Sequence, residues 1–145
     1  MGRLPTGVTV VTAPSAEGPL GATANAVASL SLDPPLMLAS LDVGSRTLAA
    51  VRAAGRFGVS VLAGGQEPVA RAFATKAPHS EKWADVPWTE HARIPTVDGA
   101  ALWVACELRE AHPEGDHVIL IGSVVTLGGE GGDALVFHRG GYRAI

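Results

Sequence analysis

Short apolar runs separated by turn residues dominate the chain. Val8-Thr9-Val10-Val11-Thr12-Ala13 is rich in β-branched residues and stops at Pro14, so it reads as a strand. Leu36 to Leu41 follows Pro34-Pro35, a pair that keeps a helix from starting earlier. Phe57, Val59 and Val61 alternate with Gly58 and Ser60, the period of a half-buried strand. Leu102, Val104, Cys106 and Leu108 alternate in the same way with Trp103, Ala105, Glu107 and Arg109. His117 to Val125 is almost all apolar, which predicts a strand covered on both faces. A last strand, Ala134 to His138, follows the glycine-rich turn Gly128 to Gly132.

Two segments carry helix signals. Ser45 can cap a run from Arg46 to Ala54, and Gly55 stops it. Pro68 in a first turn opens a second short run through Phe73 and Ala74. About six strands and two short helices, too closely spaced for βαβ crossovers, predict a mainly β fold, a β-barrel with short helices. With no internal repeat and no linker, residues 1–145 read as a single domain. The stretch from Thr75 to Gly99 reads as one long irregular segment, in which Trp83 and Trp88 either staple the loop to the barrel or form part of a lid.

Composition narrows the function. Hydrophobic residues make up 47% of the chain and charged residues 17%, too apolar for disorder. The net charge is −3 with no basic run, which disfavours a nucleic-acid groove. The one cysteine, Cys106, excludes an intrachain disulfide, fits a reducing compartment, and sits among apolar neighbours as a core thiol. No apolar stretch has the length of a membrane span, and Met1 to Gly7 lacks the apolar region of a signal peptide, so a cytoplasmic location is expected. Gly58-Val59-Ser60-Val61-Leu62 lacks the second glycine of a nucleophile elbow, and Gly128 to Gly132 has no helix behind it to make a dinucleotide-binding turn. No carboxylate pair is placed for glycoside chemistry. Of His79, His91, His112, His117 and His138, only His112 and His117 fall close together, with no further ligand pair, so no metal site is expected.

Two stretches carry candidate binding chemistry. Thr23-Ala24-Asn25-Ala26-Val27-Ala28-Ser29-Leu30-Ser31 is dense in small and hydroxyl residues, which let a ligand approach the backbone closely. Ser45-Arg46-Thr47 lies at a helix N-terminus, where free N–H groups and the helix dipole favour an anion and Arg46 adds a fixed charge, the one cation foreseen there. Each also has a plainer reading, the first as an ordinary loop before Pro-Pro and the second as a simple helix cap.

The order of these stretches resembles the flavin reductase-like family, whose members are FMN-binding split β-barrels. Pro5-Thr6-Gly7-Val8-Thr9-Val10-Val11-Thr12 resembles the family's opening strand. Thr23-Ala24-Asn25-Ala26, Ser29-Leu30-Ser31-Leu32-Asp33-Pro34-Pro35, Ser45-Arg46-Thr47 and Gly55-Arg56-Phe57-Gly58-Val59-Ser60-Val61-Leu62 follow in the family's order. Phe73-Ala74, Val86-Pro87-Trp88, Gly115-Asp116-His117 and Phe137-His138-Arg139-Gly140-Gly141-Tyr142 complete the series, which covers nearly the whole chain. One departure stands out: the family usually places a helix before the opening strand, and here Gly2-Arg3-Leu4-Pro5 leads almost directly into it, as in a trimmed chain whose Met1 is internal.

The resemblance implies an NAD(P)H:flavin oxidoreductase that reduces FMN or FAD, commonly for a partner monooxygenase, and a homodimer with flavin near the subunit interface. It places Thr23, Ala24, Asn25 and Ala26, with Ser29 and Ser31 of the same stretch, along the ring and ribityl chain. Ser40, Leu41 and Asp42 would contribute from the end of the next strand, and Ser45, Arg46 and Thr47 would hold the phosphate. Phe73, Ala74 and Lys76 would border the flavin. His138, Arg139 and Tyr142 would lie on the nicotinamide side, with His117 and His138 near the reacting rings but no residue required as a general base. The alternatives are an oxidoreductase that retains FMN and reduces another acceptor, and a flavin-binding carrier or sensor without turnover.

Overall fold

The computed structural model describes residues 2–145. The chain is mainly β, as the pattern predicts, with twelve strands and three short helices among the described residues. In order these are β1 (Thr6–Gly7), β2 (Thr9–Ala13), β3 (Leu20–Ala24), β4 (Val27–Leu32), β5 (Pro35–Asp42), α1 (Arg46–Ala54), β6 (Arg56–Val61), α2 (Glu67–Phe73) and α3 (His79–Trp83). They continue as β7 (Trp88–His91), β8 (Ile94–Val97), β9 (Leu102–Glu114), β10 (His117–Gly128), β11 (Leu135–His138) and β12 (Gly141–Ala144).

Seven strands form one antiparallel sheet in the order β3-β2-β6-β9-β10-β5-β4. Its two edges, β3 and β4, are consecutive strands separated only by Asn25 and Ala26. A connection that short forces the sheet to curl until its edges meet, yet no ladder joins β3 to β4 or to β5. The sheets are therefore not closed into a true barrel: the wall is split, and the split runs between β3 and the C-terminal end of β5. A second sheet, β1-β11-β12, grows from the ends of β2 and β6. Val8 N–H donates to Leu135 O (3.0 Å), Leu135 N–H to Leu62 O (2.9 Å) and Leu62 N–H to Val8 O (3.0 Å), a closed ring of backbone bonds.

Buried residues fall into two clusters, and β2 serves both. Val11 and Ala13 point into a core with Leu48, Val51, Phe57, Cys106 and Leu120, while Val8 and Val10 point to the opposite side with Leu62, Phe73, Trp83 and Leu135. β2 is thus buried on both faces, as are β8 and, against the half-buried strand expected there, β6 from Phe57 to Ser60. β10, expected in that role, buries only alternate residues, Val118, Leu120 and Gly122. α1 covers the first core and follows its sequence signals closely: Ser45 Oγ accepts from Leu48 N–H (3.3 Å), and Gly55 stops the helix at φ 70°.

Two further segments differ from the sequence reading. The segment from Thr75 to Gly99 is not irregular, since it contains α3 and the β7-β8 hairpin. That hairpin turns through Ala92 (φ 50°) and Arg93 (φ 61°), a left-handed pair that Asn-Gly usually signals and these residues do not. The small-residue stretch Thr23 to Ser31, for which an ordinary loop was the plainer reading, is largely the end of β3 and the start of β4, edge strands of weak β propensity. Gly21 of β3, just before that stretch, is required by packing, because a Cβ there would lie 2.8 Å from the Phe73 ring.

Gly122 offers a test of how tightly the first core is filled. An added Cβ would sit 2.6 Å from Phe57 Cζ and 2.7 Å from Cys106 Cβ. Gly122→Ala is expected to cost about 1–3 kcal/mol by overpacking. Urea denaturation should show a lower midpoint at an unchanged m-value.

Candidate functional site

The split in the barrel opens into a cleft made of two adjoining cavities. The first, of about 490 Å3, lies between β3 with the Asn25-Ala26 link and the end of β5, Ser40 to Asp42. His117 of β10 and Phe137 and Tyr142 of the small sheet complete its lining. The second, of about 540 Å3, lies over the N-terminus of α1, between Ser45-Arg46-Thr47 and the Phe73 to Lys76 segment, with His79 and Lys82 on its far side. The two share Ala22, Thr23, Asp42, Ser45 and Ala74, so they form one continuous slot.

Its walls differ in character. In the first cavity no ladder joins β3 to residues 40–42 across the gap; Ser40 N–H donates to Ala26 O (2.9 Å) and Ser45 N–H to Asp42 O (3.0 Å), so the backbone groups left for a flat ligand are the remaining ones of these two edges. Thr23 Oγ1 donates to Ala70 O (2.7 Å), which ties β3 to α2 and leaves the hydroxyl oxygen able to accept. Phe137 and Tyr142 pair across β11-β12 and pack edge to face at 5.2 Å, making an apolar floor. At the mouth, His117 Nδ1 lies 2.8 Å from Asp116 Oδ1, and this hydrogen bond to His117 holds the Asp116 carboxyl below its ordinary range.

The second cavity is cationic. Lys82 is only 7% exposed, and among the described residues no carboxylate pairs with it or with Arg46. Burial and then the Arg46 charge push the Lys82 amine below its usual value. The Arg46 guanidinium donates to Ala77 O (3.0 Å), which fixes it along one wall. His79 Nδ1 accepts from Gly21 N–H (3.3 Å), and burial, then Lys82, then Arg46 bring its pKa down to about 4. The imidazole is therefore neutral at pH 7 with its proton on Nε2. Ser45 caps α1 and the first helical N–H groups open toward this side, so dipole and fixed charges favour the same anion. Arg46 and Lys82 thus bring positive charge to this cavity with no ion-pair partner among the described residues, the environment an anion favours.

Most of the residues expected from the sequence meet here. Thr23, Ala24, Asn25, Ala26, Ser40, Leu41, Asp42, Ser45, Ala74, His117 and Tyr142 line the first cavity, and Arg46, Thr47, Phe73 and Lys76 line the second. Four do not reach it. Ser29 and Ser31 lie on the outer strand β4, beyond the link, where they pair with Met37 and Leu36. His138 alternates with Phe137 on β11, so the side chain facing the cavity is Phe137, and Arg139 sits in the following turn at φ 52°. Nor is Arg46 the one cation of the second cavity, because Lys82 and Lys76 share it, with the neutral His79 beside them. The spacing that could have signalled His79 and Lys82 is their place on one face of a single helical turn.

His79 gives the flavin-free protein a pH dependence. Its pKa is depressed in the fold, so the stability tied to its neutral form is fully present above about 6.5 and is lost as pH falls toward 4. The Tm should drop across that window. His79→Gln, which keeps an acceptor for Gly21 N–H, should flatten the drop, and thermal scans at stepped pH check it.

Comparison with known proteins agrees with this architecture. The family model of the flavin reductase like domain matches residues 1–145. An NADH-dependent flavin reductase of a Rhodococcus species is 38% identical over the whole chain, which spans 82% of that protein. BorF, the flavin reductase component of a bacterial two-component tryptophan halogenase, superposes with a TM-score of 0.91 at 38% identity, covering 99% of this chain and 92% of its own. The NADH:FAD oxidoreductase SgcE6 of Streptomyces globisporus C-1027 gives 0.90 at 35% identity, covering 99% and 88%. The chain spans about half the length of some longer curated relatives, a probable flavin reductase of Rhizobium meliloti among them. A match that runs from the first residue to the last, on a split barrel of the same shape, shows that this chain belongs to the flavin reductase-like family.

Proposed function

We propose that the slot receives a flavin, its ring in the first cavity and its phosphate in the basic pocket, and that the chain passes hydride to it from a reduced nicotinamide nucleotide. The observation that carries this reading is Lys82, a buried ammonium with no ion-pair partner among the described residues, which lines the cavity beside Arg46, Lys76 and the α1 N-terminus. A buried unpaired charge is costly, and a phosphate beside Lys82, Arg46 and the α1 N-terminus offsets that cost.

Flavin, when bound, supplies the hydride-accepting chemistry. The chain contributes placement. The edges of β3 and of residues 40–42 hold the ring by backbone hydrogen bonds, and Thr23, Asn25 and Ala26 let it lie close to the main chain. Phe137 and Tyr142 keep water from one side of the cavity, and His117, steadied by Asp116, stands at the mouth on the side left for the nicotinamide. No residue need act as a general base. NADH is the donor in the names of the Rhodococcus and Streptomyces relatives, and it is the donor proposed here.

Residues 1–145 act as one catalytic domain, working in the cytoplasm and supplying reduced FMN or FAD to a partner monooxygenase. The relatives named as reductase components of two-component systems support the partner. A homodimer is supported by the open edge of β4 with its exposed Leu30 and Leu32, and by exposed Val125 and Leu127 on β10. Among the described residues no helix is long and apolar enough to cross a membrane.

An anaerobic titration with flavin and then NADH tests the activity. Bleaching of the flavin band faster than for free flavin with NADH is expected; binding without bleaching by NADH or NADPH would leave a carrier. Lys82→Met tests the phosphate assignment. It should weaken FMN binding about 10- to 100-fold and leave riboflavin unchanged, while raising the Tm of the flavin-free protein. Equal losses for FMN and riboflavin would refute the assignment.

A further inference from the structure

A hydrogen bond ties the phosphate pocket to the strand that borders the ring cavity. Gly21 N–H of β3 donates to Nδ1 of His79, the first residue of α3 (3.3 Å). Backbone groups alternate along an antiparallel strand, one residue facing one neighbour and the next facing the other. Ala24 O accepts from Thr9 Oγ1 of β2 (2.6 Å) and so faces into the sheet, whereas Gly21 N–H leaves by the outer edge. By the same alternation Thr23 N–H also leaves by the outer edge, about 7 Å further along the strand, where Thr23 lines both the ring cavity and the phosphate pocket. This stretch of edge is closely held. Thr23 Oγ1 donates to Ala70 O of α2 (2.7 Å), and the Phe73 ring packs so tightly on Gly21 that it leaves no room for a Cβ.

The imidazole has a second polar edge. His79 lines the phosphate pocket, and with Nδ1 accepting from Gly21 the group it has left to offer an anion is Nε2–H. The charged groups around it are Arg46 at the start of α1, Lys82 on its own helix, Lys76 ahead of that helix, Asp42 at the end of β5 and Glu17 before β3. Burial, then Lys82, then Arg46 hold it neutral in the flavin-free protein. A doubly protonated imidazole carries a proton on both nitrogens and accepts from neither side, so the bond to β3 exists only while His79 is neutral.

Resting on the flavin reading above, we propose that His79 is a positioning residue that transmits phosphate binding to the flavin ring. A phosphate oxygen accepting from Nε2–H fixes the imidazole, the imidazole fixes Gly21, and Gly21 fixes the outer edge at Thr23 against which the ring lies. Riboflavin, which has no phosphate, fills the ring cavity but leaves this edge freer. The phosphate therefore acts on the rate of hydride transfer as well as on affinity, because that rate depends on how closely the two rings are placed. Its negative charge also favours the imidazolium. In acid, then, the charged imidazole keeps its hold on the phosphate but releases Gly21, and the rate advantage of FMN is lost.

The test is stopped-flow reduction by saturating NADH of bound FMN and of bound riboflavin, compared on the same protein. The wild type should reduce FMN about 10-fold faster than riboflavin near pH 8, a modest share of what misplacement of reacting groups can cost. The ratio should fall toward one by about pH 5.5, across the ordinary range of an imidazole. His79→Gln, whose amide accepts from Gly21 and donates to phosphate without titrating, should keep the ratio through that range, apart from the slope set by the phosphate's own titration. His79→Leu, which does neither, should bring the ratio to about one at every pH. The ratio is read within each protein, so a general loss of activity cancels; should His79→Leu fail to fold, the two pH profiles of wild type and His79→Gln decide alone. A wild-type ratio near one, a His79→Leu ratio equal to the wild type's, or a His79→Gln profile that follows the wild type's would overturn the coupling and leave the flavin reading standing. Failure of the wild type to reduce either flavin would overturn both.

Discussion

The ring of backbone hydrogen bonds among Val8, Leu62 and Leu135 is the constraint on which the rest depends. At that point three chain segments, each with its side chain buried, leave one sheet and begin another. Buried peptide groups must be paired, and there each segment satisfies the next. The ring fixes where β11 and β12 start, and hence where Phe137 and Tyr142 fall against the open side of the large sheet. It also anchors β2, whose two faces feed both cores, so the site and the interior share one structural origin.

Electrostatics in the cleft run against the stability of the empty protein. Burial disfavours the charged forms of His79 and Lys82, and the nearby charges add to it, Lys82 and Arg46 acting on His79 and Arg46 on Lys82. Packing of α2 and α3 against β2 and β3, through Ala70, Phe73 and Trp83, holds these groups in place. The apolar ladder of Phe73, Trp83 and Trp88 and the cationic pocket are thus two aspects of the same few turns of chain. Strain retained in a binding site in this way is a common trade of stability for function.

The elements that were legible in the sequence are those whose signals are local. Ser45 and Gly55 mark α1 to the residue, and alternation marks β6 and the first half of β9. β3 and β4 were obscured because an edge strand beside a ligand is made of small residues, and smallness is also the mark of a loop. The β7-β8 hairpin was hidden by a left-handed turn at Ala92-Arg93 and by Pro95 inside β8. For the site, chain order and resemblance located both strand edges and the helix N-terminus. They could not reveal Lys82 or His79, whose meaning arises only when α3 folds back over α1. They also placed His138 beside the reacting rings, whereas the β11 residue that lines the cavity is its neighbour Phe137, a matter of register that only the folded sheet displays.

The two residues Asn25 and Ala26 join the edges of the sheet by covalent chain where a complete barrel would use a ladder of hydrogen bonds. A ladder resists opening bond by bond, whereas a short link yields by rotation about a few backbone torsions. The seam can therefore widen and close without breaking any pairing in the sheet. If flavin arrives oxidised and departs reduced as proposed, the gap in the wall serves as a door whose hinge is already part of the frame.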